Sequence, residues 1–294
     1  MARPITAGVD GSDESLDAAD WAADEAARRG LPLRLLHAWL WQPLDLPIAQ
    51  DREAQARWAQ SVVDDAETRV WARRPGLSVS AKVVSDTAVA ALLAAAEESE
   101  MLVLGSRGRG ALVGFLVGSY GQQVIASAKR PVVAVRAGQS GPPDEPGPPA
   151  GGVVTVGQQG TPEDSAAVLR FAFETAAARG ATVRAVRAWA LPPVHALGAD
   201  ALRAADEAGG LVELEQRRLA EALGPWRKRF PEVPAVEHVE MGSAAEVLLM
   251  ACAGARLAVV GRRVRRSPVG GRIGSVAHAA LHLAPCPVAV VPHD

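Results

Sequence analysis

The residues best placed to do chemistry lie in one glycine-rich segment, Gly105-Ser-Arg-Gly108-Arg-Gly-Ala-Leu-Val-Gly-Phe-Leu-Val-Gly118-Ser119. An apolar run, Met101–Gly105, enters it, and a helix-forming run leaves it at Ser119. That layout binds anions. Free N–H groups at a helix start point toward a ligand, and the helix dipole favours negative charge there by ~0.3–1 kcal/mol. Glycines let the backbone approach a ligand's oxygens closely, and Ser119 adds a hydroxyl. Two familiar phosphate motifs fail. Gly105 and Gly110 have the spacing of GxxxxGK[ST], but Ala111 and Leu112 stand where the lysine and hydroxyl belong. Gly108-Arg-Gly110 is followed by Val113 where GxGxxG needs its last glycine, and the segment follows a fourth strand rather than a first.

The elements that must position this loop alternate. Ile5–Asp10 is a short apolar run, and Ser12 or Asp13 caps a helix that Gly30 stops. Leu33–Trp39 is a second strand and about 50–73 a longer helix. Leu77–Val84 is a strand, Asp86 or Thr87 caps a helix to about Glu98, and Met101–Gly105 is a continuous apolar strand. Ser119–Ala128 is a helix and Arg130–Arg136 the last strand. Five strands alternating with four helices predict an α/β fold, doubly wound, with a mostly parallel sheet covered on both faces. Such sheets take ligands beyond the strand C-termini, where the strand order reverses.

The pattern then repeats. Met101–Gly105 and Pro131–Val135 each lie 156 residues before a counterpart, Leu257–Gly261 and Pro287–Val291, and Trp21–Gly30 lies 150 residues before Phe171–Gly180. The chain therefore divides into a domain at 1–136, a Pro/Gly-rich linker at 137–152 and a second domain at 153–294.

The spacing G-x2-G-x9-G-[S/T] after the fourth strand resembles the universal stress protein family. So do Ala7-Gly8-Val9-Asp10-Gly11-Ser12, Leu35-Leu36-His37-Ala38 and Arg130-Pro131-Val132-Val133-Ala134-Val135. The resemblance covers both halves. It implies two tandem five-stranded sheets of order 3-2-1-4-5 and an ATP-binding type of protein. It places Asp10 and the backbone of Gly8, Val9 and Ala38 on adenine and ribose, with Leu104 and Gly105 on the ribose side. Gly108, Gly118, Ser119 and Tyr120 would hold phosphates, with Mg²⁺ bound through the phosphates rather than in a protein cage. ATP or another adenine nucleotide is the expected ligand, acting on a regulatory stress-response protein by linkage and by a change in the 106–117 loop. A slow ATP hydrolase or nucleotidyl-transfer enzyme of the same fold is the alternative, and a flavin- or AMP-binding electron-transfer module a third. The family's pairing of last strands implies a pseudo-dimer of the two domains within the chain, with a homodimer open.

The second copy departs from the pattern. Gly261, Gly274 and Ser275 remain, but Val264 stands for Gly108, and aligning Val153–Val156 with the first strand puts Gly157 at the place of Asp10. A weaker second site is expected, since valine resists positive φ and a carboxylate is lost.

The rest of the sequence sets bounds. With 31 basic and 33 acidic side chains, net charge −2, nothing draws the chain to nucleic acid or an acidic membrane. The start has no apolar signal region, and the apolar stretches are short of a membrane span, so a cytoplasmic location is expected. Cys252 and Cys286 read as core thiols. Trp21, Trp39, Trp41, Trp58 and Trp71 read as core and loop packing, with Trp39 and Trp41 as alternatives at the adenine pocket. No Ser-His-Asp arrangement is evident, so no catalytic residue is expected. His278 and His282 have a spacing that can hold zinc, but no third ligand or HExxH glutamate accompanies them, and they read as a helix face.

Overall fold

A computed structural model describes residues 2–39, 52–106, 119–139, 151–190, 203, 206–207, 209–264 and 272–294. The chain divides into two compact units. The first holds β1 (Ile5–Gly8), α1 (Asp13–Arg29), β2 (Leu33–Ala38), α2 (Arg52–Arg73), β3 (Val79–Val84), α3 (Ala88–Glu97), β4 (Met101–Ser106), α4 (Ser119–Ser127) and β5 (Val132–Arg136). The second holds β6 (Val153–Gly157), α5 (Pro162–Arg179), β7 (Thr182–Trp189), α6 (Leu211–Arg229), β8 (Ala235–Met241), α7 (Ala244–Ala251), β9 (Ala255–Arg263), α8 (Ser275–Leu283) and β10 (Val288–His293).

In the first unit the strands run in the order β3-β2-β1-β4-β5, and in the second β8-β7-β6-β9-β10. All of these pairs are parallel. The order therefore reverses between β1 and β4 in one unit and between β6 and β9 in the other. The central strands carry near-continuous apolar runs because both sheet faces are covered: Met101, Leu102, Val103 and Leu104 are all buried.

Local signals set the helix ends. Ser12 accepts a hydrogen bond from the Ser15 N–H at the start of α1, and Gly30 closes it in the left-handed region at φ 62°. α5 begins with a capping box between Thr161 and Asp164, has Pro162 in its first turn, and ends at Gly180 with φ 60°. α5 has 18 residues and α1 has 17.

A buried polar tie repeats as well. In the first unit Thr6 Oγ1 lies 2.7 Å from Ser99 Oγ and accepts from Arg34 Nε at 3.0 Å. In the second, Thr155 Oγ1 and Arg184 both donate to the Ala251 carbonyl. The first unit adds an ion network that fixes α2 on α1. Arg69 bonds Asp17 and Asp20, while Arg73 and Arg74 converge on the buried Asp24. Trp21 is buried as expected, but Trp58 and Trp71 are 55% and 49% exposed, because both sit on the largely polar α2. Trp39 is half-buried and Trp41 lies outside the described residues. Cys252 and Cys286 are both buried and form no disulfide. Contact with Cys286 and burial push the Cys252 thiol up, so it stays protonated and unreactive.

Candidate functional site

A cavity of about 410 Å³ opens in the first unit beyond the ends of β1 and β4, at the point of strand reversal. β1 pairs with β2 and β4 in a register that sets Gly8 beside Leu36 and Leu104. The chain leaving β1 therefore passes directly under the chain leaving β4. Gly8, Val9 and Asp10 line the cavity from one side and Leu104 and Gly105 from the other. Ala38 reaches it from β2, and Tyr120 and Gly121 from the first turn of α4.

Asp10 is held by the start of α1. Its Oδ1 accepts from the Ser12 N–H at 3.0 Å and the Ser12 hydroxyl at 2.5 Å, and its own N–H donates to Ser15 Oγ. Burial pulls its pKa up, but the hydrogen bonds from Ser12 and Ser15, with His37 adding to them, outweigh it. The carboxyl therefore sits below the ordinary range and is ionised at neutral pH. Ser12 holds the Oδ1 oxygen through both its N–H and its hydroxyl. His37 is buried, with Nδ1 2.8 Å from the Val9 carbonyl oxygen. A carbonyl only accepts, so Nδ1 carries the proton. The ring pins the turn that presents Asp10 and also lines the cavity.

The other walls are apolar: Leu36, Ala88, Leu92 and Leu104. A Cβ on Gly8 would fall 2.9 Å from both the Leu92 and Leu104 side chains, so glycine keeps this floor open. Gly105 has a further reason to be glycine. A Cβ there would lie 2.6 Å from the Glu14 carbonyl carbon and 2.7 Å from Ser15 N, because the first turn of α1 rests on the end of β4. Ser119 begins α4 beside the cavity but is not part of its lining, and Gly108 and Gly118, with the loop 107–118, lie outside the described residues.

Sequence reasoning missed Ser12, Ser15, Ala88 and Leu92 as part of this site. Ser12 was legible only as a cap, and Leu92 comes from a helix whose approach no local pattern announces.

The second unit has a cavity of about 510 Å³ at the equivalent reversal point. Gly261, Gly274 and Ser275 line it. The strand register corrects one alignment. Ala7 pairs with Val103 and Val156 with Val259, 156 residues apart in the two fourth strands, so Gly157 is the counterpart of Gly8 rather than of Asp10. The place of Asp10, counted along the strand, falls to Gln159, and α5 carries one extra residue beyond it. No carboxylate is restored. Gln158 replaces Val9 and turns inward, donating to Ser165 Oγ and accepting from Arg187 at 2.6 Å. Arg187 stands where His37 stands, and also bonds Glu215. At the far wall Asp164, kept ionised mainly by the Thr161 N–H, lies 3.8 Å from Arg263. The His293 ring covers Gly261, where a Cβ would meet Nε2 at 2.8 Å.

Among the described residues no group of three His, Cys, Asp or Glu side chains is placed to hold a metal, and no helix is long and apolar enough to cross a membrane.

A doubly wound α/β unit, present twice, with an open crevice at each switch point, defines the class of open-sheet α/β proteins. Comparison with known proteins narrows the class. The family model described as "Universal stress protein family" matches residues 1–136 and 153–292. A universal stress protein of Mycobacterium tuberculosis H37Rv is 36% identical over 296 residues, spanning 97% of this chain and 96% of its own length. One from Mycolicibacterium smegmatis is 30% identical over 298 residues, spanning 98% and 96%. The crystal structure of a universal stress protein from Archaeoglobus fulgidus shares the fold at a TM-score of 0.71 and 17% identity, covering 99% of this chain and 98% of that one. The chain belongs to the universal stress protein family, in its tandem two-domain form.

Proposed function

We propose that the first unit binds an adenine nucleotide, ATP with Mg²⁺ carried on its phosphates, and that the chain acts as a regulatory stress-response protein rather than as a turnover enzyme. The observation that carries this is the convergence at one switch point of an ionised carboxylate, Asp10, with the strand end Leu104-Gly105 and the start of α4. Asp10 offers its carboxylate to a ribose hydroxyl, and Ala38 lines the side proposed for the base. The start of α4, with Ser119 and Tyr120, and the glycines Gly108 and Gly118 complete the proposed phosphate end. The mechanism is ligand linkage: at ~1,000 times its dissociation constant a nucleotide adds ~4 kcal/mol to the stability of the bound state.

The second unit is proposed as the weaker partner. Gly261, Gly274 and Ser275 keep the outline, but the carboxylate is gone and Arg187 ties Gln158 and Glu215 together beneath the loop.

Calorimetric titration with Mg-ATP, ADP and AMP tests this. One site of high affinity, lost in Asp10→Ala and retained in Gln159→Ala, is the expected result. Two equal sites, or binding indifferent to Asp10→Ala, refutes it. Mass spectrometry of ligand released from freshly purified protein identifies the nucleotide, and single-turnover assay with Mg-ATP separates a binding protein from a slow hydrolase.

A further inference from the structure

α8 carries His278 and His282 one helical turn apart, with ring centroids 4.2 Å from each other and the ring planes at 55°. His278 is exposed and His282 half-buried. Side chains four residues apart share a helix face, and here the two imidazoles have already met rather than diverged. Imidazole nitrogen is a ligand of choice for copper, nickel and zinc. Each ring has two nitrogens, so one can bind an ion while the other keeps a protein hydrogen bond, as ligating histidines do.

The spacing alone reads as a plain helix face; the ring contact adds what spacing lacks. We propose that His278 and His282 form a bidentate site for a divalent transition-metal ion, outside both cavities and independent of the nucleotide reading. The chemistry selects the ion class. No third His, Cys, Asp or Glu among the described residues joins the pair, so water fills the remaining positions. Closed structural zinc sites need four protein ligands, whereas two nitrogens with water oxygens suit tetragonal Cu(II) and Ni(II). The site belongs to the second unit alone, since Gln122 and Ala126 occupy the matching places on α4.

Its consequence is local. The His278 N–H donates to the Gly274 carbonyl at 2.8 Å, so the pair sits on the turns directly following Gly274 and Ser275, which line the second cavity. An ion clipped across these turns holds α8 in its helical form, and by linkage stabilises the second unit.

The full chain, stripped with chelator, is titrated with copper sulfate and followed by electron paramagnetic resonance, and with nickel sulfate followed by thermal unfolding. The expected result is one tetragonal Cu(II) site showing two imidazole nitrogens, and an unfolding temperature that rises with Ni(II). His278→Ala and His282→Ala should each weaken Cu(II) binding at least ~10-fold and abolish the Ni(II) shift. Their unfolding temperatures without metal should match the parent. His238→Ala, which removes the imidazole paired with Glu240 on β8, should change neither readout. Retained affinity in both α8 variants, a one-nitrogen spectrum, or loss in His238→Ala would overturn the proposal.

Discussion

Gly105→Ala tests the packing that shapes the first cavity. The new methyl carbon would sit 2.6 Å from the Glu14 carbonyl carbon, 2.7 Å from its oxygen and 2.7 Å from Ser15 N. Carbon atoms in contact prefer ~3.5–4.0 Å, so a separation short by roughly 0.9 Å must be relieved. All three obstacles are backbone, and α1 has little freedom to retreat. Ser12 caps it, Ala18 and Ala22 are fully buried beneath it, and its acidic face is held by Arg69, Arg73 and Arg74. Overpacking of this kind costs about 1–3 kcal/mol, partly offset by ~0.4–1 kcal/mol from a stiffer unfolded chain. The matching change, Gly261→Ala, is the internal control. There the methyl meets only the His293 ring at 2.8 Å and Val168 Cγ2 at 3.1 Å. His293 is the half-buried last residue of β10 and its ring, a flexible side chain, can turn aside, so the expected cost is within ~0.5–1 kcal/mol.

The two units need not unfold together, so the readout must resolve them. Hydrogen exchange by mass spectrometry over residues 13–29 and 162–179 does so, since each helix reports its own unit. Gly105→Ala should speed exchange in α1 and leave α5 unchanged. It should also weaken nucleotide binding, because Glu14 and Ser15 line the cavity that α1 would vacate. Equal stability of the two alanine variants would show that α1 does not rest on Gly105.

Other expectations follow from single contacts. Asp24→Ala removes the acceptor that Arg73 and Arg74 share, while Arg73 keeps Asp20 at 3.9 Å; it should cost ~1.5–3 kcal/mol by urea unfolding. Asp17→Ala, which removes a salt bridge to the half-exposed Arg69 and the bond Asp17 accepts from the Gly138 N–H, should cost ~1–2 kcal/mol. Ser12→Ala should lower stability by ~1 kcal/mol through loss of the cap, and should weaken nucleotide binding because Asp10 loses the Ser12 hydroxyl bond while keeping the one from the backbone N–H. Because the folded Asp10 pKa is depressed, its stabilising effect is present above the ordinary carboxyl value of ~3.9 and disappears as pH falls through the folded value. Asp10→Asn should therefore be less stable than the parent at pH 7 and indistinguishable from it near pH 2, by urea unfolding at each pH.

Much of this was legible in the sequence because the signals were local. Gly30 and Gly180 end their helices in the left-handed region, Thr87 caps α3, and the continuous apolar runs at 101–104 and 132–135 are the buried central strands. Asp10 and Gly105 were expected in one crevice through family resemblance, and parallel pairing of β1 with β4 brings them there. The failures are non-local or concern counting. Trp58 and Trp71 are large and apolar, yet they ride on a helix with no strong apolar face, so residue type misjudged their burial. Leu92 and Ala88 reach the cavity through helix docking, which no period of two or 3.6 encodes.

The misplacement of Gly157 has a physical origin that bears on the second site. The two units keep different spacings, because α5 has 18 residues where α1 has 17. Thr161 and Asp164 bond each other at the start of α5, and Asp164, which there serves the cap, also faces Arg263. In the first unit Ser12 caps α1 as Thr161 caps α5, but its N–H and hydroxyl are spent on orienting Asp10. The carboxylate thus serves the cavity in one unit and the helix cap in the other. The second loop also puts its buried polar capacity into the Gln158–Arg187–Glu215 chain, where the first leaves an apolar Val9 above His37. Restoring Asp at Gln159 alone should therefore not recreate the first site. The donors at the place of Ser12, the Thr161 N–H and hydroxyl, are already taken by Asp164, so Gln159→Asp should leave the nucleotide stoichiometry of the chain unchanged in calorimetric titration. A second high-affinity site in that variant would show that the charge, and not the turn that orients it, distinguishes the two cavities.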